Sequence, residues 1–291
     1  MTRAEFAEWC SQKPRLLDGA TGSNLLLAGM PRGVCAEAWI LEHPQPLVRL
    51  QRGYIAAGSE IVYAPTFGGN RLALALHGLE DQAARINREL VALSLSAAEG
   101  RALVAGDMTT TGRAVEPLGE MSYQQLLDVY REQAEALLEG GVQLFAVETM
   151  MGVSECAAAV EAIRSLCELP VICTLSLQAD GKAYFDGTGT EAAETLEAIG
   201  ADAVGVNCSV GPDQLESVVR MMKSSCALPI AAKPNAGLPR ILDTGEAVYS
   251  MDAAGFARGM LALKNAGASL LGGCCGTTPA YLQALRAALG I

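Results

Sequence analysis

The chain has 291 residues, half of them apolar, and 21 basic against 32 acidic side chains give a formal charge of −11. That length suits one large α/β domain, and an acidic chain without a basic stripe argues against nucleic acid and anionic membrane surfaces as partners. No run reaches the length of a membrane span, Met1–Trp9 lacks the apolar core of a signal peptide, and nine irregularly spaced cysteines read as free or metal-bound thiols of a reducing cytoplasm.

Eight short β-like runs follow one another: Arg15–Asp18, Glu60–Ala64, Ala102–Gly106, Leu144–Glu148, Pro170–Ser176, Ala203–Asn207, Pro229–Ala232 and Ser269–Gly272. Most are nearly continuous in Val, Ile and Leu, as expected of strands buried on both faces. Between them lie Ala/Glu/Leu-rich stretches of helical period: Tyr123–Glu139, Ser154–Leu166, Thr190–Ile199, Pro212–Ser224 and Asp252–Asn265. Ser122, Ser154, Thr190 and Asp252 stand where N-caps belong, and Gly140-Gly141, Gly200 and Gly267 fall just past helix ends. The segment Lys233–Ser250, with Pro234, Gly237, Pro239 and Gly245, reads as a loop over the top. Eight alternations predict a single (β/α)8 TIM barrel over residues 1–291, with the active site at the C-terminal ends of the strands. The alternative, a doubly wound open sheet, wants a nucleotide loop after its first strand. Asp18-Gly19-Ala20-Thr21-Gly22-Ser23 meets neither the P-loop nor the dinucleotide spacing.

Acids, thiols and amides gather just past the runs: Asp18, Thr66, Asp107, Glu148, Asn207-Cys208, Lys233, Asn235 and Cys274-Cys275. Cys208 follows the sixth run, and Cys274 and Cys275 follow the eighth. Three thiolates at two strand ends suit a zinc ion with one open position, hence a catalytic metal. Adjacent strand residues point to opposite faces, so the backbone must bend at the pair, and Gly272, Gly273 and Gly276 permit this. The plainer readings are small buried hydrophobes or a vicinal disulfide. The other six cysteines, and His43 and His77, are read as structural. Glu148 closes an apolar run, where a carboxylate must be held or must hold a cation. With Asp18 it could bind a substrate ammonium, and Asn207 and Asn235 add amide donors and acceptors. Asp107 could equally be a turn residue. Lys233 after the seventh run allows a different enzyme, a Schiff-base lyase or aldolase. A non-catalytic zinc-binding protein is a further alternative.

The chain resembles the homocysteine S-methyltransferase family over nearly its whole length. The likeness rests on Leu17-Asp18-Gly19-Ala20-Thr21-Gly22-Ser23, Pro65-Thr66-Phe67-Gly68-Gly69-Asn70-Arg71, Val147-Glu148-Thr149-Met150, Gly205-Val206-Asn207-Cys208-Ser209, Pro234-Asn235-Ala236-Gly237-Leu238-Pro239 and Gly272-Gly273-Cys274-Cys275-Gly276-Thr277-Thr278-Pro279. The resemblance implies zinc on Cys208, Cys274 and Cys275, homocysteine sulfur at the open metal position, and the amino-acid end held by Asp18, Gly19 and Glu148. The stretch Gly106–Gly119 is most like the homocysteine-binding domain of cobalamin-dependent methionine synthase, although Thr109-Thr110 stand where that branch has Gly-Pro and Pro65 where it has Asn. Methionine synthases of that kind also carry folate and cobalamin modules, for which these residues leave no length. The expected methyl donor is therefore a separate corrinoid protein, with S-methylmethionine or betaine as the alternative.

Overall fold

The computed structural model describes residues 1–242 and 247–291. Its main sheet has eight parallel strands: β1 (Arg15–Leu16), β2 (Ile61–Tyr63), β3 (Leu103–Met108), β4 (Leu144–Met150), β5 (Val171–Leu175), β6 (Ala203–Cys208), β7 (Ile230–Pro234) and, after a small antiparallel hairpin of β8 (Pro239–Ile241) and β9 (Ala247–Tyr249), β10 (Ala268–Leu271). The order β1-β10-β7-β6-β5-β4-β3-β2 wraps the sheet into a barrel ringed by helices, as the eight alternations predict. Successive strands are parallel because a helical crossover returns each one to the same end of the sheet.

Alternation along the strands builds two apolar layers. Ile61, Tyr63, Ala105, Leu144, Ala146, Ile172, Ala203, Ala231 and Leu270 form the barrel interior, and Phe6 and Cys10 of the helix Arg3–Gln12 join that cluster. The intervening residues, among them Val62, Val104, Phe145, Val147, Val204 and Ile230, pack outward under the helices. Both faces are apolar, which explains the unbroken hydrophobic runs. A fully buried phenylalanine such as Phe6 contributes about 2 to 3 kcal/mol. One step further along, the inward positions turn polar: Asp107, Glu148, Thr174, Asn207 and Lys233 continue the alternation of β3 to β7 and are all buried. A third apolar cluster of Leu25, Ile40, Leu47, Leu74, Ile86 and Leu90 belongs to the helical excursion on either side of β2.

Closure is weakest between β1 and β2, which share no ladder. One backbone bond, Glu60 N–H to the Leu16 carbonyl at 2.7 Å, spans the gap. The Ser59 hydroxyl donates to the Leu17 carbonyl at 3.0 Å, and the Tyr63 N–H donates to Asp18 Oδ2 at 2.7 Å.

The sequence reading needs four local corrections. Ser122 and Asp252 do cap their helices, but the caps of the next two are Gly152 and Thr188. Ser154 lies inside its helix, where its N–H and hydroxyl both donate to Asp186, and Thr190 is the second residue of its helix. The stretch Pro212–Ser224 divides into a short 3₁₀ turn, Pro212–Gln214, and the helix Glu216–Ser225. The expected loop Lys233–Ser250 contains the end of β7 and the β8–β9 hairpin, while Gly245 lies outside the described residues.

Candidate active site

Cys208 ends β6 with φ of 57°, and Ser209 follows at 58°. Two successive non-glycine residues in the left-handed region cost about 1 to 3 kcal/mol each, and such conformations persist where the surroundings fix them. The strand partner Pro234 lies opposite Cys208. The same proline's carbonyl accepts from Cys274 N–H at 2.8 Å, so the end of β7 ties the two thiol segments together. Cys275 is held by the Ala236 N–H donating to its carbonyl at 2.9 Å. The Thr277 hydroxyl donates to the Cys274 carbonyl at 2.7 Å, and Gly276 takes φ of 82°. β10 has ended at Leu271, so the pair lies in a turn, as two convergent neighbours require.

All three sulfurs lie within 4.8 Å of one another, and Cys274 and Cys275 Sγ are 4.0 Å apart. Metal–thiolate bonds of about 2.3 Å in a tetrahedron demand sulfurs roughly 3.8 Å apart, so the trio needs only a small contraction to hold zinc. No disulfide joins any of the nine cysteines. Hydrogen bonding from Cys208 and then Cys274 pulls the Cys275 thiol down to about 3, so one thiolate is already stabilised by its two neighbours. The Asn235 amide oxygen, buried two residues after Lys233, has no hydrogen-bond partner among the described residues.

All three cysteines line a cavity of about 250 Å³. Asp18, Tyr63, Asp107, Glu148 and Lys233 line the same cavity, with Gly19, Thr149, Pro65 and Phe67 completing the wall and Ile40 contributed by the excursion. Gly19 tolerates no side chain, because a Cβ there would lie 2.7 Å from the Tyr54 hydroxyl and 2.8 Å from Thr277 Oγ1. Lys233 Nζ donates to Asp18 Oδ1 at 3.0 Å and Glu148 Oε2 at 3.2 Å, and stands 3.5 Å from the centre of the Tyr63 ring. Burial opposes its charge, but Asp18 and then Glu148 outweigh burial and hold the amine firmly protonated. That is the reverse of what a Schiff-base lysine needs, and the lyase or aldolase alternative fails on it. Burial raises the Asp18 and Glu148 carboxyls, with Lys233 opposing the rise. Asp107 rises furthest from the ordinary carboxyl range, first through burial and then through the nearby Glu148 charge.

The sequence-selected residues thus divide. Cys208, Cys274, Cys275, Asp18, Gly19 and Glu148 share the cavity. Asn207 lies behind its wall, where its amide oxygen accepts from Thr149 N–H and the Thr174 hydroxyl. Asn235 likewise does not line the cavity. Asp107 is a strand residue of β3 and not a turn residue. Sequence reasoning left Asp107 open between the rim and a turn, did not single out Thr149 or Tyr63, and weighed Lys233 only as an alternative Schiff base. A lone charge at the end of an apolar run, the signal that picked out Glu148, is also present at Lys233.

The family pattern described as homocysteine S-methyltransferase matches residues 15–289. The chain belongs to that family. Methionine synthase of Mycobacterium tuberculosis (strain ATCC 25618 / H37Rv) is 29% identical over 297 residues, which is 96% of this chain and 25% of that protein. Methionine synthase of Mycobacterium leprae (strain TN) is 29% identical over 303 residues, again 25% of its length. The chain therefore spans about a quarter of the length of the curated relatives it matches. In fold it is similar to the metallated form of the homocysteine methyltransferase MmuM from Escherichia coli, with a TM-score of 0.82 at 24% identity over 97% of this chain and 98% of that one. The carboxyl transferase domain of Rhizobium etli pyruvate carboxylase is a more distant match in fold, with a TM-score of 0.56 at 15% identity, covering 99% of this chain and 49% of that one. No helix among the described residues is long and apolar enough to cross a membrane.

Proposed function

We propose that this barrel methylates the thiol of homocysteine to give methionine, with zinc on Cys208, Cys274 and Cys275 and the methyl group brought by a corrinoid protein. The observation that carries this reading is one small cavity lined by both three convergent sulfurs and an acid–lysine cluster. A cavity of 250 Å³ lies below the range of drug-sized pockets and suits an amino acid. Zinc bound by three thiolates favours the ionised form of a thiol placed beside it, whose pKa is otherwise about 8.5. The protein groups do the rest. Glu148 and Asp18 supply the negative field for the ammonium end, and Gly19 offers backbone without a side chain in the way. The homocysteine sulfur attacks the methyl carbon, the sulfur–carbon bond forms, and the donor keeps the electron pair of the bond that breaks. A reducing compartment such as the cytoplasm keeps the three thiols available for metal.

The reading of the donor is supported by the mouth of the barrel. Phe67, Leu118, Tyr184 and Leu238 are large apolar side chains exposed on the loops after β2, β3, β5 and β7, and Ile241 is another at the end of β8. An apolar rim suits transient docking of a second protein surface better than admission of a small cation. The deciding experiment offers homocysteine with methylcobalamin, S-methylmethionine or betaine in parallel. The highest kcat/KM is expected with methylcobalamin, free or protein-bound. A higher value with either small donor replaces the corrinoid assignment, and no transfer from any of them sinks the reaction itself.

A further inference from the structure

Two turns of the cavity meet at Thr277. The turn after β10 carries Cys274 and Cys275, and the turn after β1 carries Asp18 and Gly19. Thr277 is fully buried between them and does not itself line the cavity. Its hydroxyl donates to the Cys274 carbonyl at 2.7 Å and accepts from Ala20 N–H at 3.1 Å, so one oxygen serves both turns. Its carbonyl accepts from Asn24 Nδ2 at 2.8 Å, and the same amide nitrogen donates to the Ala20 carbonyl at 2.8 Å. The Tyr54 hydroxyl also donates to that Ala20 carbonyl, at 2.7 Å. Gly273 N–H donates to the Asp18 carbonyl at 3.0 Å and completes the junction.

Two glycines show how closely the turns are packed. A Cβ on Gly19 would lie 2.8 Å from Thr277 Oγ1, and one on Gly273 would lie 2.5 Å from it. Neither glycine has a left-handed φ, so close approach, not backbone conformation, excludes a side chain at both. Interiors packed to this density are hardly compressible and pass a displacement on.

We propose that Thr277 is a positioning residue that couples the thiol turn to the turn after β1, so that zinc on the three thiols and the amino-acid end of the acceptor strengthen each other's binding through the protein. This coupling rests on the homocysteine reading and deepens it: acceptor binding depends on zinc through the chain as well as through a metal–sulfur bond. With the three sulfurs held together, the Cys274 carbonyl is fixed, and the Thr277 hydroxyl passes that constraint to Ala20. The backbone from Asp18 to Ala20 is then ordered before the acceptor arrives, and a site ordered in advance loses less entropy on binding.

The test uses L-2-aminobutanoate, which is homocysteine without its sulfur. Zinc dependence of its affinity cannot come from a metal–sulfur bond, and the part that needs the Thr277 hydroxyl cannot come from the field of the metal. In calorimetric titrations, zinc-loaded wild type should bind it about fivefold or more tightly than metal-free wild type, the low end of coupling between two sites. Reciprocally, saturating 2-aminobutanoate should raise zinc affinity by the same factor, read by competition with a chromophoric chelator. T277V keeps the shape and removes the hydroxyl. It should lose most of that factor, and its zinc affinity should fall about ten- to a hundredfold, as for lost partners of metal ligands. T277S keeps the hydroxyl and should restore both. N24A leaves Thr277 intact, cuts the amide link to Ala20 and should lower the factor, which serves as the second variant if T277V does not fold. Equal affinity in the two wild-type forms overturns the coupling, as does an undiminished factor in folded T277V or in N24A. Absence of 2-aminobutanoate binding in both forms overturns it too, because an amino-acid grip that needs the sulfur leaves nothing to couple. Methyl transfer to homocysteine with equal affinities sinks the coupling alone. A hydroxyl-dependent factor without methyl transfer from any donor sinks the proposed reaction and leaves the coupling standing.

Discussion

Asn207 clamps Thr149 from behind the cavity wall: its Oδ1 accepts from Thr149 N–H at 2.8 Å and its Nδ2 donates to Thr149 Oγ1 at 2.7 Å. Thr149 has φ of 61°, a left-handed conformation that a β-branched residue rarely adopts. The clamp connects β6 just before Cys208 with β4 just after Glu148, so one thiol and one acid of the cavity share one brace. Asn207→Ala should therefore cost about 2 to 4 kcal/mol of stability, from lost hydrogen bonds and released strain support. It should also raise KM for homocysteine. Urea denaturation and steady-state kinetics on the same preparation check both.

Replacing any one of Cys208, Cys274 or Cys275 by Ala should abolish stoichiometric zinc and methyl transfer while leaving the barrel folded. Cys208 is the last residue of β6 and Cys274 and Cys275 lie past the end of β10, all outside both apolar layers. Elemental analysis beside a far-ultraviolet circular dichroism spectrum separates the outcomes. Full zinc in a Cys274→Ala, Cys275→Ala double variant would refute the ligand set.

Glu148→Gln removes a charge but keeps the shape, and leaves Lys233 with only Asp18 as a full counter-ion. Homocysteine affinity should fall about tenfold or more, as expected for one charge-assisted contact, with zinc content unchanged. Calorimetric titration with homocysteine is the direct measurement, and undiminished affinity would remove Glu148 from the substrate site.

Lys233→Met should be among the most damaging single changes. It strands two buried carboxylates, and breaking a buried pair from one side typically costs about 3 to 5 kcal/mol. The variant should recover stability as the pH is lowered, because protonation of Asp18 or Glu148 relieves the unpaired charge. A melting series from neutral to acidic pH would show it.

Asp107 predicts the opposite sign for its own removal. Its folded-state pKa lies above the unfolded value of about 3.9, so the native barrel binds this proton more tightly than the unfolded chain. That contribution is complete below about pH 4 and is lost as pH rises through the folded value. The charged groups around it are Glu148, Lys233, Asp18 and Glu37. Asp107→Asn should thus melt above wild type at neutral pH, by about 1 to 3 kcal/mol, with the difference shrinking toward pH 4. A variant that melts lower at neutral pH would show that Asp107 supports the fold directly.

The barrel and the convergence of its three thiols were legible in the sequence because each rests on local pattern. Strands buried on both faces announce themselves as unbroken apolar runs, and Cys208, Cys274 and Cys275 follow such runs directly. Pairing across the barrel was not legible. Lys233 meets partners 215 and 85 positions away, and no periodicity connects them. The Lys233–Ser250 stretch looked irregular because β8 and β9 have three residues each, too few to show alternation. Ser154 and Thr190 were attractive caps by residue type, yet the chain turned into helix earlier, at Gly152 and Thr188.

The seam between β1 and β2 gives the acid cluster a second, mechanical meaning. Asp18 is both a wall of the cavity and a stitch across the weakest joint of the barrel, through the Tyr63 N–H, and Lys233 tensions that stitch from the opposite side. The cylinder is thus held shut at its loosest point by the charges that face the cavity. Acid strong enough to protonate Asp18 should loosen this joint before the rest, exposing the amides of Glu60 and Tyr63 to hydrogen exchange while β4, β5 and β6 stay protected.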